Sequence, residues 1–279
     1  MMVQFAVMTF MFEEFWKRGD ISHERMIEQF RKLSVSGIEP FHTFFAAEPD
    51  LIKRYKRATS DNGMKVSAVD VICDLVYETE LERIKGLDEL KRGLEICAEL
   101  GAPVAHVAGH TPKAGISKDD GHQMIVDGLL SQKDFADKNG IILAVEDFGF
   151  TPSFLCMAQD MEDLLKKAKG NVKLVFDTGN FEFAGETADR NFSLLERYIC
   201  YVHMKDWQTT YDPAKEIVQG SNLTGCPLGE GIVPNEEIAS LLTERGYSGW
   251  VALEATQVAE SPESTVKRDL AKLKAWFKS

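Results

Sequence analysis

The sequence predicts one (β/α)8 barrel domain spanning residues 1–279, on three observations. Its 279 residues suit a barrel, which needs roughly 250. Eight short apolar runs alternate with longer amphipathic segments and no linker interrupts them, as expected of a parallel sheet buried on both faces. No glycine-rich phosphate or dinucleotide fingerprint follows the first run, which disfavours the doubly wound alternative.

The runs that read as strands are Val3–Thr9, Gly37–His42, Lys65–Asp70, Pro103–Ala108, Ile141–Asp147, Val172–Asp177, Ile199–Lys205 and Trp250–Glu254. Helical spacing is clearest in His23–Leu33, Leu87–Leu100, Gly121–Lys138, Met161–Ala168, Asn235–Arg245 and Thr265–Phe277. Gly101, Gly140, Gly170 and Gly246 stand just past apolar-periodic segments, where a helix ends in a left-handed residue.

Composition excludes several function classes. A net charge of −12 opposes a broad nucleic-acid surface, which needs clustered Lys and Arg, and favours a small-molecule partner. Five cysteines form no CxxC pair and are too sparse to staple the chain, so they read as reduced thiols of a cytoplasmic protein. The apolar start MMVQFAVMTFMFEEFW lacks a basic flank and reaches Glu13 well short of a membrane span, so it reads as the first strand of a soluble protein.

Chemistry concentrates at the ends of the last four apolar runs. ILAVEDFG carries Glu146, KLVFDTGN Asp177, YVHMKDW His203 and WVALEAT Glu254. In a barrel these carboxyl ends surround the active-site mouth, and neighbouring strands lie about 4.8 Å apart, so the four side chains can converge. The two-residue period then sends Ala144, Val175, Tyr201 and Ala252 inward one layer below, and Val145, Phe176, Val202 and Leu253 outward to the helices. Three carboxylates and an imidazole make a hard oxygen and nitrogen site for one divalent ion, Mn2+ first, with Mg2+, Co2+ or Zn2+ as alternatives. A single acid after a strand commonly caps a helix or pairs with a cation. Three at one mouth would be very costly without a cation.

The ordered set VED, FDTGN, VHMKD, LGEGIVP and ALEAT resembles the xylose isomerase-like barrel superfamily over nearly the whole chain. That superfamily contains sugar phosphate isomerases and epimerases, ketose 3-epimerases, inosose dehydratase and endonuclease IV. The resemblance implies one divalent ion on Glu146, Asp177, His203 and Glu254, with Glu146 and Glu254 also serving as the acid/base pair. Departures narrow it. Asn180 stands where many members have His, and Thr209 where ketose 3-epimerases place Arg. Endonuclease IV needs further His and Asp ligands that are missing, while the HMKD segment is closer to the inosose dehydratase branch. The expectation is a metal-dependent isomerase or epimerase acting on a ketose, keto-polyol or related sugar derivative. A lyase or dehydratase of the same fold, and a non-catalytic sugar-binding barrel, are its rivals. Substrate identity and phosphorylation stay open, as does assembly into a homo-oligomer.

Several further residues are candidates for holding substrate. His42, His106 and His110 fall at or past the ends of the second and fourth strands, Asn180 three residues beyond Asp177, and Lys205 shares the inward parity of His203. Lys205 otherwise pairs with Asp206 or Glu230. Asp206 is expected to orient an imidazole or Lys205. Trp207, Phe148 and Phe150 offer aromatic faces to a sugar, or simply core packing. Gly229, Glu230 and Gly231 suggest a lid or a turn, and His23 and His122 fall on helices away from the mouth.

Overall fold

The computed structural model describes residues 3–48, 50–148, 155–211 and 221–278. Its central sheet contains β1 (Gln4–Met8), β2 (Gly37–Glu39), β3 (Lys65–Val66), β4 (Val69–Ile72), β5 (Val104–Ala108), β6 (Ile142–Glu146), β7 (Lys173–Asp177), β8 (Ile199–Met204) and, last in the chain, a strand over Trp250–Leu253. Between these last two lies a two-stranded antiparallel ribbon, β9 (Trp207–Thr209) with β10 (Leu223–Gly225), so the Trp250–Leu253 strand is β11. The order β3-β2-β1-β11-β8-β7-β6-β5-β4 is parallel throughout. A bridge from Phe41, just past β2, to Asp70 on β4 makes the sheet a nearly closed barrel.

The expected third strand is interrupted at this closure. Lys65–Val66 pairs with β2, whereas Val69–Ile72 pairs with β5. Pro40 has no N–H to continue the β2 ladder, and its carbonyl instead accepts Asp70 N–H. The eight expected strands therefore appear as nine segments.

The helices outside the barrel are α1 (Glu13–Lys17), α2 (His23–Lys32), α3 (His42–Ala47), α4 (Leu51–Asp61), α5 (Glu80–Leu100), α6 (Lys118–Leu130), α7 (Lys133–Asn139), α8 (Ala158–Lys167), α9 (Ala188–Leu195), α10 (Asn235–Glu244) and α11 (Pro262–Trp276). Starts follow capping chemistry: Ser22, Thr79, Ser117 and Ser261 each accept a backbone N–H of the first turn. Thr79 and Glu82 form a capping box, so α5 begins seven residues before its expected start. The intervening turn hides from an apolar pattern because it exposes Leu81 and Ile84. The single helix expected over Gly121–Lys138 is two: the Ser131 hydroxyl bonds back to Gly128 O at 2.6 Å and the chain turns there. All four expected terminal glycines adopt positive φ. None of the helices among the described residues is long and apolar enough to cross a membrane.

Two apolar layers fill the molecule with the expected parity. Ala144, Val175, Tyr201 and Ala252 join Ala6, Ala68, Val104 and Trp250 inside the barrel. Val145, Phe176, Val202 and Leu253 belong to the larger core between strands and helices. The inner ring is mostly small residues, with Tyr201 and Trp250 occupying the remaining width. This packed floor confines chemistry to the carboxyl ends of the strands.

Candidate metal centre at the barrel mouth

Glu146 ends β6, Asp177 ends β7, His203 is next to last on β8, and Glu254 follows β11 while its N–H continues the ladder to Met204 O. One donor atom from each of the four lies within 4.8 Å of the others. Donors on opposite sides of a divalent ion stand about 4–5 Å apart, so the spacing suits a single ion. His203 Nδ1 is 2.8 Å from Glu146 Oε1, 3.4 Å from Glu254 Oε2 and 3.8 Å from Asp177 Oδ2. Asp177 is oriented by its own chain: Oδ1 accepts the N–H groups of Gly179 and Asn180. Its Oδ2 is buried without a hydrogen bond, since Lys205 Nζ at 3.0 Å makes an ion pair lacking hydrogen-bond geometry. Three converging carboxylates share one lysine, and a buried carboxylate oxygen without a hydrogen bond is what a further cation would satisfy. The residues therefore fit a divalent metal.

Burial drives the Asp177 pKa up, further than Lys205 draws it down, and Glu254 and Glu146 add to the rise. Burial opposes charge on Glu146 too, but His106 and His203 outweigh it and hold that carboxylate well below its ordinary range. Desolvation would lower the His203 pKa, yet Glu39 and Glu146 raise it well above the usual value. A metal must therefore displace a proton held on this ring. Asp177→Ala and His203→Ala are each expected to lose most of the one ion per chain that wild-type protein takes up from excess Mn2+, as read by elemental analysis. Full occupancy in both variants would rule the four residues out as ligands.

The secondary candidates separate. Lys205 Nζ reaches the cluster, 2.9 Å from Glu254 Oε1, so its partners are Glu254 and Asp177 rather than Asp206 or Glu230. Asn180 is buried, and among the described residues its side-chain amide has no hydrogen bond at either end. Trp207 packs edge-on against Phe183 and keeps an unpartnered buried Nε1. His110 Nδ1 accepts Leu75 N–H, which puts the ring proton on Nε2, a buried atom with no partner. Burial lowers its pKa to about 4, and its charged neighbour is Asp74 rather than the four clustered residues. His106 lies inside the barrel with Nδ1 3.1 Å from Glu39, in register with Ala144 one layer below Glu146.

Two expectations are corrected. His42 is not brought to the mouth: with Gly37 and Glu39 facing inward, residue 42 has the opposite parity, and its ring bonds Ile72 N–H and Glu89 outside the barrel. Asp206 orients neither an imidazole nor Lys205; its carboxylate accepts four backbone N–H groups, from Trp207, Gly229, Gly231 and Val233. That collar holds the LGEGIVP loop in place, and a Cβ on Gly231 would stand 2.1 Å from Asp206 Oδ1. Asn235, at the start of α10, braces the same region by bonding Thr178 and Lys205 O. Phe148 packs against the outer core, and Phe150 lies outside the described residues. His23 bonds Tyr55 and stacks near Trp16, which is a structural role.

Glu39 escaped the sequence reading, although the rule that found Glu146 and Asp177 also applies to it. It is an acid at the end of an apolar run, here before Pro40. It is fully buried, and both oxygens meet imidazoles: His106 and His203.

Residues 27–276 match the family model described as xylose isomerase-like TIM barrel. An inosose dehydratase of Serratia proteamaculans is 26% identical over 148 residues, covering 50% of this chain and 49% of the relative, so the match spans about half that relative's length. An L-ribulose-5-phosphate 3-epimerase, UlaE, of Salmonella paratyphi A is 23% identical over 235 residues, covering 80% of this chain and 74% of the relative. Among solved structures, an IOLI protein with a bound zinc atom superposes with a TM-score of 0.81 at 17% identity, covering 99% of this chain and 98% of that one.

Proposed function

Because the chain belongs to the xylose isomerase-like TIM barrel family, we propose that it is a divalent-metal-dependent isomerase or epimerase of a ketose, keto-polyol or related sugar derivative. The observation that carries this reading is the convergence of Glu146, Asp177, His203 and Glu254, with Asp177 Oδ2 buried and without a hydrogen bond. Mn2+ is the first expectation for the ion, and the zinc-bound IOLI neighbour keeps Zn2+ in consideration. When bound, the ion supplies positive charge that acidifies the C–H between a carbonyl and an adjacent hydroxyl.

The chain's own residues then divide the work. Glu254 has the most exposed side chain of the four, at 13%, so it is the base that reaches a substrate carbon. Glu146, at the end of β6 in the same cluster, is its partner and exchanges the proton on the opposite face. Lys205 donates to Glu254 and keeps it aimed. Trp207 Nε1, the Asn180 amide and His110 Nε2 are neutral groups without partners among the described residues, suited to hydroxyl and carbonyl oxygens.

The inosose dehydratase similarity supports a second reading, a lyase that begins with the same proton removal and then expels a β-hydroxyl. Metal-loaded protein offered ketoses, inososes and 3-keto sugars, with products read by mass and stereochemistry, distinguishes the two. A product of unchanged mass and altered configuration or carbonyl position is expected. Loss of one water establishes the lyase, and no turnover across the panel would overturn both.

A further inference from the structure

Below the four clustered residues lies a layer of buried polar groups that the proposed proton transfer does not use. Glu39 ends β2, with Oε2 2.9 Å from His203 Nε2 and Oε1 3.1 Å from His106 Nδ1. His106 in turn stands 3.7 Å from both Asp70 and Glu146. Both Glu39 oxygens are thus spoken for by imidazole nitrogens in a fully enclosed site.

An imidazole binds a metal only through a deprotonated nitrogen. For His203 to serve the mouth, Nδ1 must give up its proton, Nε2 must keep one, and the ring must not turn over. A fixed acceptor opposite Nε2 sets all three conditions.

The same atoms offer a competing use, because Glu39, His106 and His203 also lie within 4.8 Å of one another and are themselves a possible metal site. Charge and access favour the upper position. The lower group holds one carboxylate and is wholly enclosed, whereas the upper one holds three and opens at Glu254. An ion below would have no coordination position that a substrate could reach.

We propose that Glu39 is a positioning residue: clamped by His106, its carboxylate accepts the Nε2 proton of His203 and holds Nδ1 towards Glu146, Asp177 and Glu254. This role rests on the metal-site reading above.

Glu39→Gln tests it, because the amide retains the shape and a hydrogen-bond acceptor while losing the charge. Titration with Mn2+, followed by the paramagnetic signal of the free ion, should show a Kd weakened by roughly 10- to 100-fold. Saturation should still be reached at the wild-type stoichiometry. A merely structural defect would lower the competent fraction and leave Kd where it was. Should Glu39→Gln not fold, His106→Gln leaves Glu39 charged but releases its clamp, and a smaller, several-fold weakening is expected. An unchanged Kd in a folded variant would overturn the role. So would two ions per wild-type chain with one lost in Glu39→Gln, which would assign Glu39 as a ligand. Absence of Mn2+ binding by wild type would defeat the metal reading itself, and this role with it.

Discussion

Glu254→Gln is expected to lose turnover by on the order of 100-fold or more while still holding metal, because a carboxamide keeps the ligand's shape but cannot accept a proton. Glu254 is the member of the cluster that opens to the mouth, and Lys205 fixes it at 2.9 Å. Glu146→Gln should show a comparable loss if the reaction is an epimerisation, in which a proton removed on one face is returned on the other. Incubation in D2O adds an independent readout: deuterium should appear on the carbon beside the carbonyl. Clean turnover without deuterium would indicate a hydride shift or a shielded proton. Full activity in both glutamine variants would remove these residues as bases.

The second large effect concerns stability. Phe176→Asp is expected to prevent folding at ambient temperature. Phe176 is wholly buried between β7 and its helices, 5.5 Å from the Phe181 ring and 5.9 Å from that of Phe192. Deleting such a ring costs about 3–5 kcal/mol, and an unpaired charge there adds several more. Together these rival the roughly 5–15 kcal/mol that holds a typical domain folded. Asn180→Ala is the contrasting variant. Its side chain makes no hydrogen bond among the described residues, so its melting midpoint should stay near wild type while turnover weakens. A Phe176→Asp protein that melts with the wild type would mean that the outward parity of β7 is wrong.

That parity illustrates what the sequence by itself determined. Strand alternation is a local property with a period of two, so the apolar pattern placed Ala144, Val175, Tyr201 and Ala252 inside and their neighbours outside before any contact was known. The same regularity put Glu146, Asp177, His203 and Glu254 at strand ends, and a barrel brings consecutive strand ends together. The polar first turn of α5 and the charged α4 were less legible, because their helical character depends on caps and on the surface they cover rather than on an apolar stripe.

Only the tertiary structure decided which long-range partner each polar group finds. Glu39 and His203 are 164 residues apart, and no pattern within either segment announces their bond. His42 stands at the end of the expected second strand, but Pro40 ends β2 and leaves His42 on the helical side, bonded to Ile72 and Glu89. Asp206, adjacent to a proposed metal-cluster neighbour, turns instead to four backbone N–H groups, three of them supplied by a loop more than twenty residues downstream. The physical reason is common to these cases. Periodicity specifies the face on which a side chain lies, whereas the sheet register and the position of each strand end specify what it meets there.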